Sequence, residues 1–95
     1  MNLARVTGTV VATQKSEALV GAKLLVLERL NERLKPLGEY TVAVDAVGAG
    51  EEEIVLYTSG SSARQTSQTK DSPVDAVIVA IVDSCTIGNE TVFQR

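Results

Sequence analysis

The residues with the clearest chemical potential lie in one short polar segment, which combines small residues, two hydroxyls and a guanidinium: Gly60, Ser61, Ser62, Ala63 and Arg64. Hydroxyls and free amides beside an arginine can hold an oxyanion, and the same groups can instead dock on a carboxylate or carbonyl of a neighbouring subunit. Arginine is enriched at protein interfaces as well as at phosphates, and the sequence favours docking. Asp45 and Asp75, each in an apolar stretch, are the candidate partners of Arg64 in either case.

Three other features could contribute to catalysis or binding, but the sequence favours a structural role for each. Gly48-Ala49-Gly50 lacks the third glycine of a dinucleotide motif and precedes a predicted strand, so we interpret it as a turn. Adjacent strand residues point to opposite faces, so at most two of the three carboxylates Glu51–Glu53 act together, and a solvated charge cluster is favoured. Cys85 has no histidine to activate it and is typical of a small buried residue.

Missing residue types exclude several function classes. The chain has no His, no Trp and a single Cys, so zinc clusters, Ser-His-Asp triads and Cys-His dyads are unavailable within one chain. A net charge of −3 and an aromatic content of 3% oppose nucleic-acid binding, which requires a basic surface and rings for stacking. Most familiar hydrolytic chemistry is therefore excluded within one chain, and we expect no cofactor, no metal and no nucleic-acid partner.

The 95 residues predict a single domain over 1–95, with 44% hydrophobic and 22% charged residues as in globular proteins. No apolar run approaches the roughly 18 to 20 residues that span a bilayer, and the first residues lack a signal-peptide core. We therefore expect a cytosolic chain with no membrane partner. A core this small is marginal and has no disulfide, which favours an oligomer.

The predicted elements are mostly strands, because Val and Ile total eighteen against nine Leu. Strands are predicted over 3–13 with a bend at Gly8, 23–30, 40–47, 54–58 and 76–83, followed by a turn at 87–90 and a short return at 91–93. The strands at 40–47 and 54–58 are predicted to form a hairpin, and 59–73 a long polar loop.

The segment after Ala22 is ambiguous. A helical stripe with spacings of three and four runs through Leu27, Leu30, Leu34 and Leu37. Its first half is also a continuous apolar run that suits a buried strand. We assign a strand to 23–30 and a loop, with room for one helical turn, to 31–38.

Five strands with long connections favour a small barrel, since closure removes exposed edges, and the OB-like barrel fits best. A sandwich remains possible on the same strand count.

Five motifs occur in order along nearly the whole chain: Gly8-Thr9-Val10-Val11-Ala12-Thr13-Gln14-Lys15, Leu19-Val20-Gly21-Ala22-Lys23-Leu24-Leu25, Val44-Asp45-Ala46-Val47-Gly48-Ala49-Gly50, Gly60-Ser61-Ser62-Ala63-Arg64-Gln65, and Ser72-Pro73-Val74-Asp75-Ala76 with Ile81-Val82-Asp83. Together they closely resemble the EutN/CcmL family of bacterial microcompartment vertex proteins. The resemblance implies a mostly β, five-stranded OB-like barrel that assembles as a cyclic homopentamer. It further implies a non-catalytic subunit in the microcompartment shell of the bacterial cytoplasm, capping five-fold vertices beside hexameric shell proteins.

Two local features qualify the resemblance. The family usually has glycine at the position of Glu52, so the turn here departs from the family pattern. The C-terminal stretch Gly88–Phe93 resembles members from catabolic shells more than those from carboxysomes, which favours a metabolosome. The alternatives are a nucleic-acid-binding OB module, which needs a basic face, and an anion or metabolite module that uses Gly60–Arg64 as its pocket.

Overall fold

The computed structural model describes residues 1–13, 17–60, 63 and 75–95. Within them lie seven strands and one short 3-10 helix, Glu17–Leu19. The strands are β1 (Asn2–Val10), β2 (Leu24–Leu30), β3 (Pro36–Asp45), β4 (Ile54–Ser59), β5 (Ala76–Ile81), β6 (Ser84–Ile87) and β7 (Glu90–Gln94). None of the helical structure in this part of the chain is long and apolar enough to cross a membrane.

Strands β1 to β5 close into a barrel in the order β1-β2-β3-β5-β4, with β4 pairing back to β1. Every neighbouring pair is antiparallel except β3 and β5, which run parallel through Val44 opposite Val77 and Asp45 opposite Ile78. The predicted mostly β fold with a five-stranded barrel is confirmed, and the sandwich is excluded.

The predicted hairpin between residues 40–47 and 54–58 is wrong. Strand β5 lies between β3 and β4, so these two strands are not paired within the barrel. The connection 46–53 instead crosses to β1, where the amide of Glu52 donates to the carbonyl of Val6 at 2.9 Å and the amide of Val6 donates to the carbonyl of Glu53 at 3.0 Å. The glycine-rich turn therefore leads from one side of the barrel to the other.

Strand β1 is irregular at the predicted bend. Its register with β2 shifts between Val6 and Gly8, which is the signature of a β-bulge. The bulge increases local twist and lets a strand of nine residues contribute to a closed barrel.

The leucine stripe is not helical. Leu27 and Leu30 are both buried in β2, and their spacing of three follows from a register irregularity between Glu28 and Leu30. Leu34 lies in the turn that follows, where the amide of Leu34 donates to the carbonyl of Asn31 at 2.9 Å. The predicted loop at 31–38 is thus wrong at its end, because β3 already begins at Pro36. Gly38, with φ +73°, supplies the left-handed conformation that lets the strand continue through the irregularity.

Two clusters of buried apolar side chains stabilise the barrel, because β3 and β5 are covered on both faces where they pair with each other, around Val44 and Val77. The interior cluster comprises Ala4, Val6, Leu25, Leu27, Ala43, Ala49, Val55, Tyr57, Ala76 and Ile78. The second cluster comprises Val44, Ala63 and Val77, with Ala22, Leu24, Ala46 and Val79 packed against it. Successive strand residues face opposite sides, so Val77 and Ile78, both fully buried, belong to different clusters. The second cluster therefore lies on the outer side of β3 and β5.

Strands β6 and β7 form a separate two-stranded sheet after the barrel. The turn predicted at 87–90 is present but shorter, because β6 ends at Ile87 and β7 begins at Glu90, and the predicted return at 91–93 lies within β7. Strand β6 was not predicted, and the apolar strand ends at Ile81 rather than at residue 83. The guanidinium of Arg95 contacts the carboxylates of Glu53 at 3.0 Å and Asp83 at 3.3 Å, which anchors the end of the hairpin to the barrel.

Candidate subunit contact

Asp45 ends strand β3, and its carboxylate stabilises the turn that follows. Oδ1 accepts hydrogen bonds from the amides of Val47 and Gly48, each at 3.0 Å. Oδ2 lies 3.7 Å from Nζ of Lys23, and the Asp45 side chain is only 2% exposed. The buried carboxylate therefore already has three partners in its own chain, and its first role is to fix the loop between β3 and β4.

Lys23 connects this carboxylate to the end of the barrel. Its ammonium donates to the carbonyl of Ala49 at 3.0 Å, while half of its side chain remains exposed. Ala49 is fully buried in the interior cluster, so the turn Gly48-Ala49-Gly50 closes the barrel end with a methyl group. The amide of Gly50 donates to the carboxylate of Glu53. This amide is therefore used within the turn and does not point toward a phosphate site.

Gly60, Ala63 and Asp75 are the described members of the segment around Arg64. The amide of Gly60 donates to the carbonyl of Asp75 at 2.8 Å, which extends the pairing of β4 and β5 beyond Ser59 and Ala76. Ala63 is fully buried in the outer cluster. Ser61, Ser62 and Arg64 lie outside the described residues, and so do the proposed pairings of Arg64 with either aspartate.

A groove lies beside this segment. It has a volume of ≈ 490 Å³ and is lined by Val20, Gly21, Ala22, Lys23, Val44, Asp45, Ala46 and Gly48. Ala22, Val44 and Ala46 belong to the same outer cluster as Ala63. The structure therefore places Asp45, Ala63 and the groove on one side of the barrel, and Gly60 and Asp75 at the adjoining ends of β4 and β5.

Sequence reasoning did not single out the apolar side chains around this site. Val20 is 70% exposed and Val47 is 40% exposed, and both lie in turns next to the groove. Tyr40 and Val42 on β3 are 63% and 46% exposed. The sequence did contain a signal for these exposed apolar side chains: a valine next to glycine in a turn. Turn positions are usually occupied by glycine or polar residues.

The carboxylates Glu51–Glu53 do not form a metal site with their neighbours. No group of three or more acidic, histidine or cysteine side chains suited to a metal occurs in the described residues. Glu53 is used structurally, through Gly50 and Arg95. Glu51 and Glu52 are exposed, as a solvated charge cluster predicts, whereas Glu53 is half-buried and departs from that interpretation.

A family model described as ethanolamine utilisation protein EutN/carboxysome matches residues 1–83. The chain belongs to the EutN/CcmL family of bacterial microcompartment vertex proteins. The match confirms the resemblance carried by the five motifs and leaves strands β6 and β7 beyond the family model.

Individual relatives extend the similarity over the full chain. The carboxysome shell vertex protein CcmL of Gloeobacter violaceus is 43% identical over 95 residues, covering 100% of this chain and 95% of that protein. Its solved structure has a TM-score of 0.96 and covers 100% of this chain and 98% of that chain. The microcompartment shell vertex protein EutN of Salmonella typhimurium is 43% identical over 95 residues, with 100% and 96% covered.

The shell vertex protein GrpN of Rhodospirillum rubrum is 54% identical over 84 residues, which cover 88% of this chain and 94% of that protein. Its solved structure, described as a pentameric microcompartment shell protein, has a TM-score of 0.86 at 51% identity and covers 93% of this chain and 100% of that chain. The relatives of this chain are therefore shell proteins, and at least one of them, GrpN, is a pentamer.

Proposed function

We propose that this protein is a structural subunit of a bacterial microcompartment shell and that five copies form a ring at each vertex. The observation that carries the proposal is full-length similarity, in sequence and in barrel geometry, to a shell vertex protein, with a TM-score of 0.96 at 43% identity. The role is architectural. The best-placed polar side chains of the candidate site, Asp45 and Lys23, hold the protein's own turns in place.

Geometry explains why a five-fold ring matters to a shell. A layer built only from six-fold units is flat or rolls into a tube, and it closes on all sides only when five-fold units occupy its corners. A head-to-tail contact that closes after five copies supplies such a unit. The proposed partners are therefore further copies of this chain and the hexameric tiles around each corner, and the proposed location is the shell in the bacterial cytoplasm.

We further propose that the shell is a catabolic metabolosome. The identities with CcmL and EutN are the same, 43%, so they do not separate the two shell types. The C-terminal stretch Gly88–Phe93, which resembles members from catabolic shells, supports the catabolic type. Mass spectrometry of purified shells tests this proposal: enzymes of a degradative pathway are expected inside, and carbon-fixing enzymes would contradict it.

The alternative function is an anion or metabolite module that uses Gly60–Arg64. The described part of that segment supports docking more than ligand binding, because the Gly60 amide is bonded to Asp75 and Ala63 is buried against the outer cluster. Binding of sulfate or phosphate by a monomeric protein would favour the alternative.

Two experiments test the vertex role. Native mass spectrometry should give a species of about 50 kDa, which is five copies of the 10.1-kDa chain. In cells that lack this protein and have no second vertex gene, electron microscopy should show elongated or open shells with their enzymes still clustered. Normal closed polyhedra in those cells would falsify the role.

A further inference from the structure

The C-terminal hairpin of β6 and β7 is attached to the barrel differently from every barrel strand. Its two strands pair with each other and not with β1–β5. In the described part of the chain, neither buried apolar cluster includes a hairpin residue, and every residue of 84–94 is exposed or half-buried. Gly60 and Asp75, the ends of the loop between β4 and β5, bond to each other at the opposite end of these strands. The hairpin is therefore outside the core that stabilises the barrel.

The hairpin meets the barrel at a narrow base. Just before it, the amide of Val82 donates to the carbonyl of Ile54 at 2.8 Å, which extends the barrel pairing by one residue. Asp83 follows at a bend in the chain. The amide of Arg95 donates to the carbonyl of Asp83 at 2.8 Å, so the first and last residues of the hairpin are held together. Rotation of the backbone at Asp83 would therefore move the hairpin as one unit.

Two ion pairs attach the hairpin to the rest of the chain, one near its base and one near its tip. At the base, the guanidinium of Arg95 lies 3.0 Å from the carboxylate of Glu53, whose side chain is 23% exposed. At the tip, Glu90 lies 2.6 Å from Arg33 in the turn at 31–35, and these side chains are 65% and 52% exposed. Salt screens exposed ion pairs more than buried ones, so the contact at the tip is the more salt-sensitive of the two.

The apolar contact between the hairpin and the barrel is small. Cys85 and Ile87 alternate with exposed residues in β6 and are half-buried, and Phe93 lies opposite Cys85 in β7 and is half-buried as well. The thiol of Cys85 lies 4.0 Å from the carbonyl oxygen of Glu32, so this side of the hairpin faces the turn at 31–35. A two-stranded sheet is only marginally stable by itself, and three half-buried side chains add little to it. Charge therefore contributes a large share of the attachment.

We infer that the hairpin is a salt-sensitive latch, which detaches from the turn at 31–35 by pivoting at Asp83 while the barrel stays folded. Opening breaks the pair between Arg33 and Glu90 and exposes the side of the hairpin that carries Cys85. Segments with few buried apolar contacts open at a lower free energy than the core, which is the behaviour expected of such a unit. The inference goes beyond the proposed shell function and does not depend on it.

Amide hydrogen exchange of the full-length natural protein, in its assembled form, provides the first test. Raising sodium chloride from about 0.1 M to about 1 M shortens the screening length from ~10 Å to ~3 Å. The amides of β6 and β7 should then exchange about 1.5- to 5-fold faster, the range expected for the loss of one exposed ion pair. The amides of β1 and β2 are the internal reference and should not change. Labelling of the Cys85 thiol at fixed pH should accelerate by a similar factor.

A charge swap tests the pair itself. Arg33→Glu and Glu90→Arg each place like charges at the tip, so each should accelerate hairpin exchange at about 0.1 M salt. The double variant restores opposite charges and should return the rates to those of the natural protein. Arg29→Glu is the matched control, because it reverses a charge in a pair of similar exposure between β2 and β3, with Glu39 at 3.1 Å. It should leave hairpin exchange unchanged.

Three results would overturn the latch. Hairpin amides that exchange as slowly as the barrel strands at every salt concentration would show that the hairpin does not open separately. Equal acceleration in the hairpin and the barrel would mean that the whole fold loosens. A double variant that exchanges as fast as the single variants would remove the ion pair as the cause. Native mass spectrometry of the natural protein reports the ring independently, so a monomer there would contradict the proposed function and not the latch.

Discussion

Glu53 accepts the amide hydrogen of Gly50 in its own turn, with 2.6 Å between the amide nitrogen and Oε1. The turn between them contains Glu52 with φ +70°, a left-handed conformation that a residue with a Cβ adopts at a cost. The family usually has glycine here, and the backbone angle gives the physical reason. The backbone at Glu52 is therefore strained. The hydrogen bonds that Glu53 and Val6 make around it keep the turn in this conformation.

Glu52→Gly should stabilise the protein by about 0.5 to 1 kcal/mol. The gain from relieving the left-handed side chain, about 1 to 2 kcal/mol, exceeds the conformational entropy that glycine adds to the unfolded chain. Denaturant unfolding at a fixed protomer concentration measures the change, because oligomer stability depends on concentration. Glu51→Gly is the matched control, since Glu51 is not among the residues with positive φ, and it should not stabilise. A lower midpoint for Glu52→Gly would contradict the strain assignment.

Asp45→Ala should destabilise the fold by about 1 to 3 kcal/mol, since it leaves the Val47 and Gly48 amides without their acceptor in a nearly buried site. Asp45→Asn keeps an acceptor oxygen and should cost less. Asp83→Ala removes a carboxylate that is 82% exposed and should change the free energy of unfolding by less than about 0.5 kcal/mol. Equal effects of the two alanine variants in denaturant unfolding would show that Asp45 does not hold the turn.

Ala49→Leu should destabilise the barrel by about 1 to 3 kcal/mol, because three added carbon atoms must fit into a fully buried position at the closed barrel end. Ala12→Leu, at a half-buried position after β1, is the control and should have little effect. Thermal unfolding followed by circular dichroism compares the two. An unchanged melting temperature for Ala49→Leu would mean that this end of the barrel is not closed by Ala49.

The strand segments and the barrel class could be predicted from the sequence, because β-branched residues and period-two burial are local signals. The strand order could not. Parallel pairing of β3 with β5 joins Val44 to Val77 across more than thirty residues, and no local pattern marks it. Adjacency in sequence favoured a hairpin with β4 instead. The leucine stripe misled for a related reason, since a register irregularity produced the spacing of three between Leu27 and Leu30.

The candidate site was only partly accessible to sequence reasoning. Residue types marked Asp45 and the segment Gly60–Arg64 as polar groups within apolar surroundings. The groove was not predictable, because Val20, Ala46 and Gly48 come together only through the path of the chain around β2 and β3.

Arg64→Glu should weaken or dissociate the ring. Arg64 follows Ala63 in the chain, and Ala63 packs in the cluster that also supplies Ala22 and Ala46 to the groove. A charge inversion inside a desolvated subunit contact costs on the order of 2 to 5 kcal/mol of association free energy. Sedimentation at several salt concentrations measures the loss. Arg33→Glu, at a half-exposed position in a surface ion pair with Glu90, is the matched control and should leave the ring intact. A salt-resistant pentamer of Arg64→Glu that no longer binds sulfate or phosphate would instead assign this arginine to an anion site, because loss of the ligand without loss of the ring separates binding from docking.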